Sequence, residues 1–258
     1  MFWVIIFVIF VIFAYLLLLV SSKPSKIELD KIYYINLDRR PDRKQHILKQ
    51  IYDEKIPHDK VKRFQAIDGK TYKFNPEEKK MFQDCNFRND GNENLTMGNQ
   101  LSHYYILKEM VENNYQYILI LQDDVVFKKD FNTHLNKILD NFPEDAEIVN
   151  IGTHKYAVNA HFVPVELEDP EQNKAECQQD TDGFVCRWKD HINPCSLAYI
   201  VSLKGAKNLI KYFQDVGFKS ATDHNYNEYL RGKNIFYGSK TVLCTGALMG
   251  SDIFDPQN

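Results

Sequence analysis

Tyr117-Ile118-Leu119-Ile120-Leu121-Gln122-Asp123-Asp124-Val125-Val126-Phe127 is an apolar, partly β-branched run that breaks into two adjacent carboxylates. A continuous apolar run of this length suits a strand covered on both faces of an α/β sheet. Asp123 and Asp124 fall where that strand should end, and open α/β sheets bind ligands beyond the carboxyl ends of their strands. Two neighbouring carboxylates repel each other unless a cation, water or hydrogen bonds compensate. A divalent cation is one such compensation, since hard oxygen ligands suit magnesium or manganese. An Asp-rich strand-to-loop turn is the other reading, because Asp is a frequent turn former. The segment alone leaves both open.

Upstream, Ile27 to Leu37 reads as a first buried strand, and Pro41 to Lys55 as a helix with Ile47, Leu48 and Ile51 on one face. Asp38 lies in the expected cap region, and Pro41 suits the first helical turn. Val61 to Ile67 is a second strand closed by the Asp68-Gly69 turn signal. Asn75 to Asn94 reads as a loop holding a short helix, and Thr96 as the cap of a helix running to Val111. Downstream, a helix from Phe131 to Asn141 leads to a strand at Glu147 to Ile151. Val163 to Asp182 is acidic and aperiodic, which predicts a surface loop. A strand at Leu197 to Ser202, helices at Lys204 to Phe213 and Asp223 to Leu230, and strands at Ile235 to Tyr237 and Thr241 to Leu243 complete the pattern. Strands alternating with helices predict a mostly parallel sheet.

The chain opens with Phe2 to Val20, a run without charge, proline or glycine. As a helix it would be roughly 28 Å long, enough for the hydrocarbon core of a bilayer. No basic stretch precedes it and no small-residue cleavage site follows, which favours an uncleaved anchor over a signal peptide. The expected division is therefore a single-pass transmembrane anchor at 1–22 and one domain at 23–258, with membrane contact through residues 2–20. Lys23, Lys26 and Lys31 follow the span, and the positive-inside rule would put the domain on the cytoplasmic face. A net charge of -3 from 32 basic and 35 acidic residues argues against a nucleic-acid partner bound by bulk charge. Cys85, Cys177, Cys186, Cys195 and Cys244 match no zinc spacing. A Cys177–Cys186 disulfide in a lumenal domain and free thiols both remain open.

Asn36-Leu37-Asp38-Arg39-Arg40-Pro41-Asp42-Arg43 sets three guanidinium groups at the end of the first strand. Arginine is suited to planar, bidentate recognition of oxyanions, so a nucleotide diphosphate is one fitting ligand. A solvated cluster neutralised by Asp38 and Asp42 is the alternative. The first strand is followed by no GxGxxG, and GxxxxGK[ST], GxSxG and HExxH are absent, which removes support for dinucleotide-binding, P-loop, α/β-hydrolase and zincin readings. His103 is either a ligand contact or a structural histidine. Asp223, Glu228 and Asp252 are the late carboxylates available to take a proton from a hydroxyl.

Taken in order, these segments resemble glycosyltransferase family 25, which includes lipooligosaccharide and collagen-modifying galactosyltransferases. The resemblance rests on Ile35-Asn36-Leu37-Asp38-Arg39-Arg40-Pro41-Asp42-Arg43, Phe64-Gln65-Ala66-Ile67-Asp68-Gly69, Leu95-Thr96-Met97-Gly98-Asn99-Gln100-Leu101-Ser102-His103 and Leu121-Gln122-Asp123-Asp124-Val125. Ala198-Tyr199-Ile200-Val201-Ser202, Gly205-Ala206-Lys207-Asn208-Leu209, Asp223 and Ser251-Asp252-Ile253 extend it. It implies a single α/β domain of GT-A type (Rossmann-like), a UDP-sugar donor, a divalent cation with manganese foremost, and inversion at the transferred hexose. Carried onto this chain, Asp123 and Asp124 form the metal site, and Asn36, Arg39, Arg43, Asp68 and Gln122 the donor pocket. Asp223 is the first choice for the catalytic base, serving a glycan, glycolipid or hydroxylated protein acceptor.

Two departures stand out. Gln122 replaces a common acidic residue, and Asn99-Gln100 stands in place of a Gly-Glu-type sequence. An inactive binding or adaptor domain is therefore the alternative function. Resemblance to collagen-modifying enzymes implies a secretory lumen, against the lysine count, and Asn94-Leu95-Thr96 would then be a glycosylation sequon. If 1–22 is only an anchor, a chain lacking it should be folded and monodisperse without detergent. Size-exclusion chromatography and circular dichroism check this, and aggregation of the truncated chain would assign the run to the domain core.

Overall fold

Alternation along the first and third strands explains why the interior of each is apolar. In β1 (Lys31–Asn36) Tyr33 and Ile35 join one buried cluster while Ile32 and Tyr34 join another. The computed structural model describes residues 27–87, 92–153, 177–181, 184–188, 195–230, 233, 235, 237–247, 249–250 and 252–253. After β1 come α1 (Pro41–Asp53), β2 (Val61–Gln65), α2 (Pro76–Met81), α3 (Glu93–Glu112), β3 (Tyr117–Gln122), β4 (Val125–Phe127) and α4 (Phe131–Asp140). The rest comprises β5 (Ile148–Asn150), β6 (Gly152–Thr153), β7 (Cys177–Thr181), β8 (Val185–Trp188), β9 (Ala198–Ser202), α5 (Leu203–Val216), α6 (Thr222–Leu230), β10 (Tyr237–Ser239) and β11 (Cys244–Gly246). In β3, Ile118 and Ile120 meet Leu101 and Leu107 of α3 and Phe213 of α5 in one cluster. Leu119 and Leu121 join Ile47 and Ile51 of α1 and Leu135 and Ile138 of α4 in the other. Helices thus cover both faces of the sheet.

The main sheet has the order β2-β1-β3-β9-β5-β10-β8-β7, and a smaller one has the order β4-β11-β6. The pairs β1–β2, β1–β3 and β5–β10 are parallel, whereas β9 runs antiparallel to both β3 and β5. The hairpin β7–β8 also joins β10 antiparallel. The sheet is therefore mixed, not mostly parallel. Helical crossovers impose the parallel sense, and no helix lies between β8 and β9 among the described residues. The reversed β9 brings its amino end to the carboxyl end of β3, where Gln122 N–H donates to Leu197 O at 2.9 Å.

Other local expectations shift. Arg40, not Asp38, precedes α1, and no side chain caps it. The Asp38 carboxylate is engaged elsewhere, accepting from Arg63 and Gln65 at 2.6 Å each. Helix α3 starts at Glu93 with Asn92 before it, so Thr96 lies buried within its first turns instead of capping it. Part of the expected 163–182 loop is strand β7, and residues 163–176 and 182 lie outside the described set. The last two strands fall two or three residues later than expected, because their pairing partners set their limits. Cys186 is disulfide-bonded, while Cys85, Cys195 and Cys244 are free thiols. The expected span at 2–20 lies outside the described residues, among which no helix is long and apolar enough to cross a membrane.

Helix α3 is seated on the end of β2 by direct backbone approach. Ile67 N–H donates to Ser102 Oγ at 2.9 Å, and Ser102 Oγ donates to Gly98 O at 2.7 Å. A Cβ on Gly98 would stand 2.4 Å from Ile67 O. Gly98→Ala is expected to lower stability by about 1–3 kcal/mol through overpacking against rigid backbone. A reduced urea midpoint at unchanged slope is the readout, and a wild-type midpoint would refute the seating.

On the same helix, His103 is fully buried, its Nδ1 2.8 Å from Tyr199 Oη, which lies 2.9 Å from Tyr226 Oη. Burial lowers its pKa from 6.5 to about 3, so the neutral ring belongs to the folded state. A depressed histidine contributes stability above the unfolded value of 6.5, and this is lost as pH falls toward 3. Between pH 7 and 4 the wild-type urea midpoint should therefore fall more steeply than that of His103→Gln. Parallel profiles would show that His103 titrates normally.

Candidate functional site

In the parallel register of β1, β2 and β3, Asn36 pairs with Gln65 and Ile35 with Gln122, so the three carboxyl ends come level. Asn36, buried at the end of β1, organises the acidic turn beyond β3. Its Nδ2 donates to Asp123 Oδ2 at 2.6 Å and to Arg40 O at 3.0 Å. Its Oδ1 accepts from Arg63 Nε at 3.0 Å, and Arg63 also reaches Asn36 O at 3.0 Å. Arginine only donates, so Arg63 holds the amide with its NH2 group toward Asp123. Arg43 Nη1, on the buried face of α1, donates to Asp123 Oδ1 at 3.1 Å. Burial raises the Asp123 pKa and Asp124 adds to this, while the Asn36 hydrogen bond and the Arg43 charge oppose it.

Asp124 differs from its neighbour. Its Oδ2 lies 3.3 Å from Arg43 Nη1, but its Oδ1 is buried without a hydrogen-bond partner. Both oxygens of Asp123 are already engaged, so Asp124 presents the open carboxylate oxygen. Magnesium-type sites commonly use one or two protein carboxylates, with water and phosphate oxygens completing the shell. The open oxygen fits that arrangement, although no cluster of three His, Cys, Asp or Glu side chains suited to a metal occurs among the described residues.

Opposite these carboxylates stand the guanidinium groups. Arg39 Nε donates to Asp68 Oδ2 at 2.7 Å, and its Nη1 donates to Asp252. Arg40 Nη1 donates to Asp252 Oδ2 at 2.5 Å, and its Nη2 to Asp42 at 2.7 Å. Burial pushes the Asp252 pKa up, yet the Arg39 hydrogen bond and the charges of Arg43, Arg39 and Arg40 bring it below the ordinary carboxylate value. Arg39, Arg43, Asp68, Gln122, Asp123, Asp124 and Asp252 line an open cleft of ≈ 650 Å³, mouth included, with Leu95 and Asn99 of α3 on its wall.

Gln122 faces this cleft and donates through Nε2 to Ser196 Oγ at 3.2 Å. Asp223 is not among the lining side chains; it lies in the first turn of α6. Hydrogen bonds that tie that helix to α3 include Asn99 Nδ2 to Thr222 Oγ1 at 3.3 Å and Asn225 Nδ2 to Gln100 Oε1 at 2.9 Å. Burial pushes the Cys195 thiol up to about 12, the Leu197 backbone hydrogen bond opposing this and the charges of Asp223 and Asp124 adding to it. Glu228 is exposed on α6, and His103 belongs to the core. Sequence reasoning missed Arg63 and Ser196. An arginine in a half-buried strand was the available signal for Arg63; nothing in the sequence marked Ser196, which β9 delivers only by running backwards.

The model for Glycosyltransferase family 25 (LPS biosynthesis protein) matches residues 29–225. Procollagen galactosyltransferase 2 of Homo sapiens is 28% identical over 199 residues, covering 74% of this chain and 29% of that protein. A glycosyltransferase 25 family member of Anopheles gambiae is 30% identical over 197 residues, covering 72% of this chain and 29% of its own length. Inactive glycosyltransferase 25 family member 3 of Homo sapiens is 27% identical over 205 residues, covering 74% and 30%. The chain thus spans about three-tenths of the length of the curated relatives it matches. The apo structure of mouse xyloside xylosyltransferase 1 overlaps at a TM-score of 0.38 and 13% identity, covering 86% of this chain and 74% of that one, too loosely to inform the site. The family match takes in β1, β2, β3 and the Asp123-Asp124 turn in one continuous span, and the chain belongs to glycosyltransferase family 25.

Proposed function

We propose that this chain is an inverting, metal-dependent glycosyltransferase of GT-A type that moves a hexose, galactose or glucose, from a UDP-sugar to a hydroxyl. The observation that carries the reading is the open Asp124 oxygen set beside Arg43, Arg39 and Asp68 in one cleft at the strand ends. Membership of the family supports it, as does the name of the procollagen galactosyltransferase relative, which favours galactose and a protein acceptor. Glycan and glycolipid hydroxyls are acceptors of the same chemistry. The run at 2–20 would hold the domain at a membrane, in a secretory lumen or on the cytoplasmic face.

In this reading Arg39 and Arg43 bind the diphosphate and stabilise the charge that develops as it leaves. Asp124 would hold a divalent cation, manganese foremost, which supplies further neutralisation of the diphosphate when bound. Asp123, fixed by Asn36 and Arg43, positions Asp124. Gln122 and Asp68 offer polar contacts to the nucleotide-sugar. Asp223 takes the proton from the acceptor hydroxyl, whose oxygen then attacks the anomeric carbon from the side opposite the leaving UDP.

A second reading is an inactive binding domain, favoured by Gln122 in place of a carboxylate and by the relative named as inactive. Turnover of a UDP-sugar panel with manganese and an acceptor panel separates the two. Under the first reading Asp124→Asn should lower transfer by about 100-fold or more, the scale of losing one preorganised electrostatic group, with its circular dichroism unchanged. Full activity of that variant would remove Asp124 from the reaction. UDP binding without turnover in the wild type would favour the second reading.

A further inference from the structure

Arg39, Arg40 and Arg43 all converge on one carboxylate of their own chain. Arg39 Nη1 donates to one oxygen of Asp252 and Arg40 Nη1 to the other, while Arg43 Nη1 stands 3.6 Å away. The backbone around Asp252 is held by the same side chains. Arg40 Nη2 donates to Met249 O at 3.0 Å, and Arg43 Nη2 donates to Gly250 O. The segment is anchored at its ends, by Ala247 N–H to Asp124 O at 2.7 Å and by Asn92 Nδ2 to Ile253 O at 2.7 Å. Between those anchors Gly250 takes a left-handed φ of 72°, and the described side chains that hold this bend are the same arginines that hold Asp252. Asp252 and Ile253 line the cleft itself.

A carboxylate and a phosphate present guanidinium groups with the same planar pair of acceptor oxygens. We propose that Asp252 is an exchangeable internal stand-in for the donor diphosphate, which must displace it from the cleft-lining Arg39 in order to bind. This rests on the donor-pocket reading above and adds a control on that pocket. With the carboxylate in place the arginines are compensated and the fold tolerates their proximity. Apparent affinity for any anion is then reduced by the fraction of molecules in which Asp252 still occupies them. Singly charged carboxylates gain nothing by exchange, whereas a diphosphate brings more charge and more oxygens than the group it replaces. The device thus selects for diphosphates.

The test is calorimetric titration of UDP and of inorganic pyrophosphate into the wild type and Asp252→Asn, in EDTA and again with manganese. Exchange predicts binding tighter by about tenfold in the variant, in each buffer where the wild type binds, because the competing charge is gone. Hydrogen exchange on the wild type gives a second readout that needs no variant: amides of Ala247 to Ile253 should exchange faster when UDP is bound. Equal or weaker binding by Asp252→Asn overturns the proposal, weaker binding meaning that Asp252 itself holds the cation or the donor. Slower amide exchange on UDP binding overturns it too, and decides the matter if the variant fails to fold. UDP binding to the wild type keeps the donor-pocket reading intact in either case, whereas no UDP binding to either protein in either buffer removes both.

Discussion

The Asp123 carboxylate, buried where β3 ends, is the charge around which the rest of the cleft is arranged. A buried carboxylate is costly unless it is paired and hydrogen-bonded, and here Asn36 and Arg43 supply the partners. Asn36 can do so only from the end of β1, and Arg43 only from the buried face of α1. The parallel β1–β3 pairing, the packing of α1 by Ile47 and Ile51, and the orientation of one amide by Arg63 therefore serve a single compensated charge. Removing one member of such a buried pair leaves an uncompensated group, which in proteins generally costs about 3–5 kcal/mol.

That compensation shapes the chemistry open to the cleft. Both Asp123 oxygens have a donor whereas Asp124 Oδ1 has none, and because Asp124 shares Arg43 its two oxygens are unequal. Positive and negative groups alternate from Asp124 through Arg43 and Asp252 to Arg39 and Asp68. Such a row has little net field but many groups that can exchange partners. On the proposed reading, a diphosphate would have to break the Asp252 ion pair to Arg39, whereas a cation would meet the open Asp124 oxygen. Preorganisation and self-neutralisation are here the same set of contacts.

Helix α3 links this row to the far side of the cleft. Gly98 permits its close approach to Ile67, which places Leu95 and Asn99 on the cleft wall and turns Gln100 toward Asn225. Asn99 and Gln100 thereby tether the first turns of α6, where Asp223 lies. These two amides act as ties between helices, a role that needs hydrogen-bond donors and acceptors in fixed places more than it needs charge.

The sequence by itself determined the elements whose signal is local. The apolar runs of β1 and β3, the α1 stripe and the paired aspartates at a strand end were legible because side-chain periodicity follows directly from backbone geometry. Asn36, Arg39, Arg43, Asp68 and Gln122 were joined to Asp123 and Asp124 by the resemblance to the family and not by local pattern, since the residue types alone left a solvated basic cluster equally open. Only the tertiary structure decided the sense of β9, since strand direction depends on which end the connecting chain arrives from, and no residue type encodes that. It also decided which aspartate has both oxygens hydrogen-bonded and which has one open, and that Asp252, more than two hundred residues from Arg39 in the chain, closes the row. Those outcomes depend on distances between side chains far apart in sequence, which local pattern cannot register.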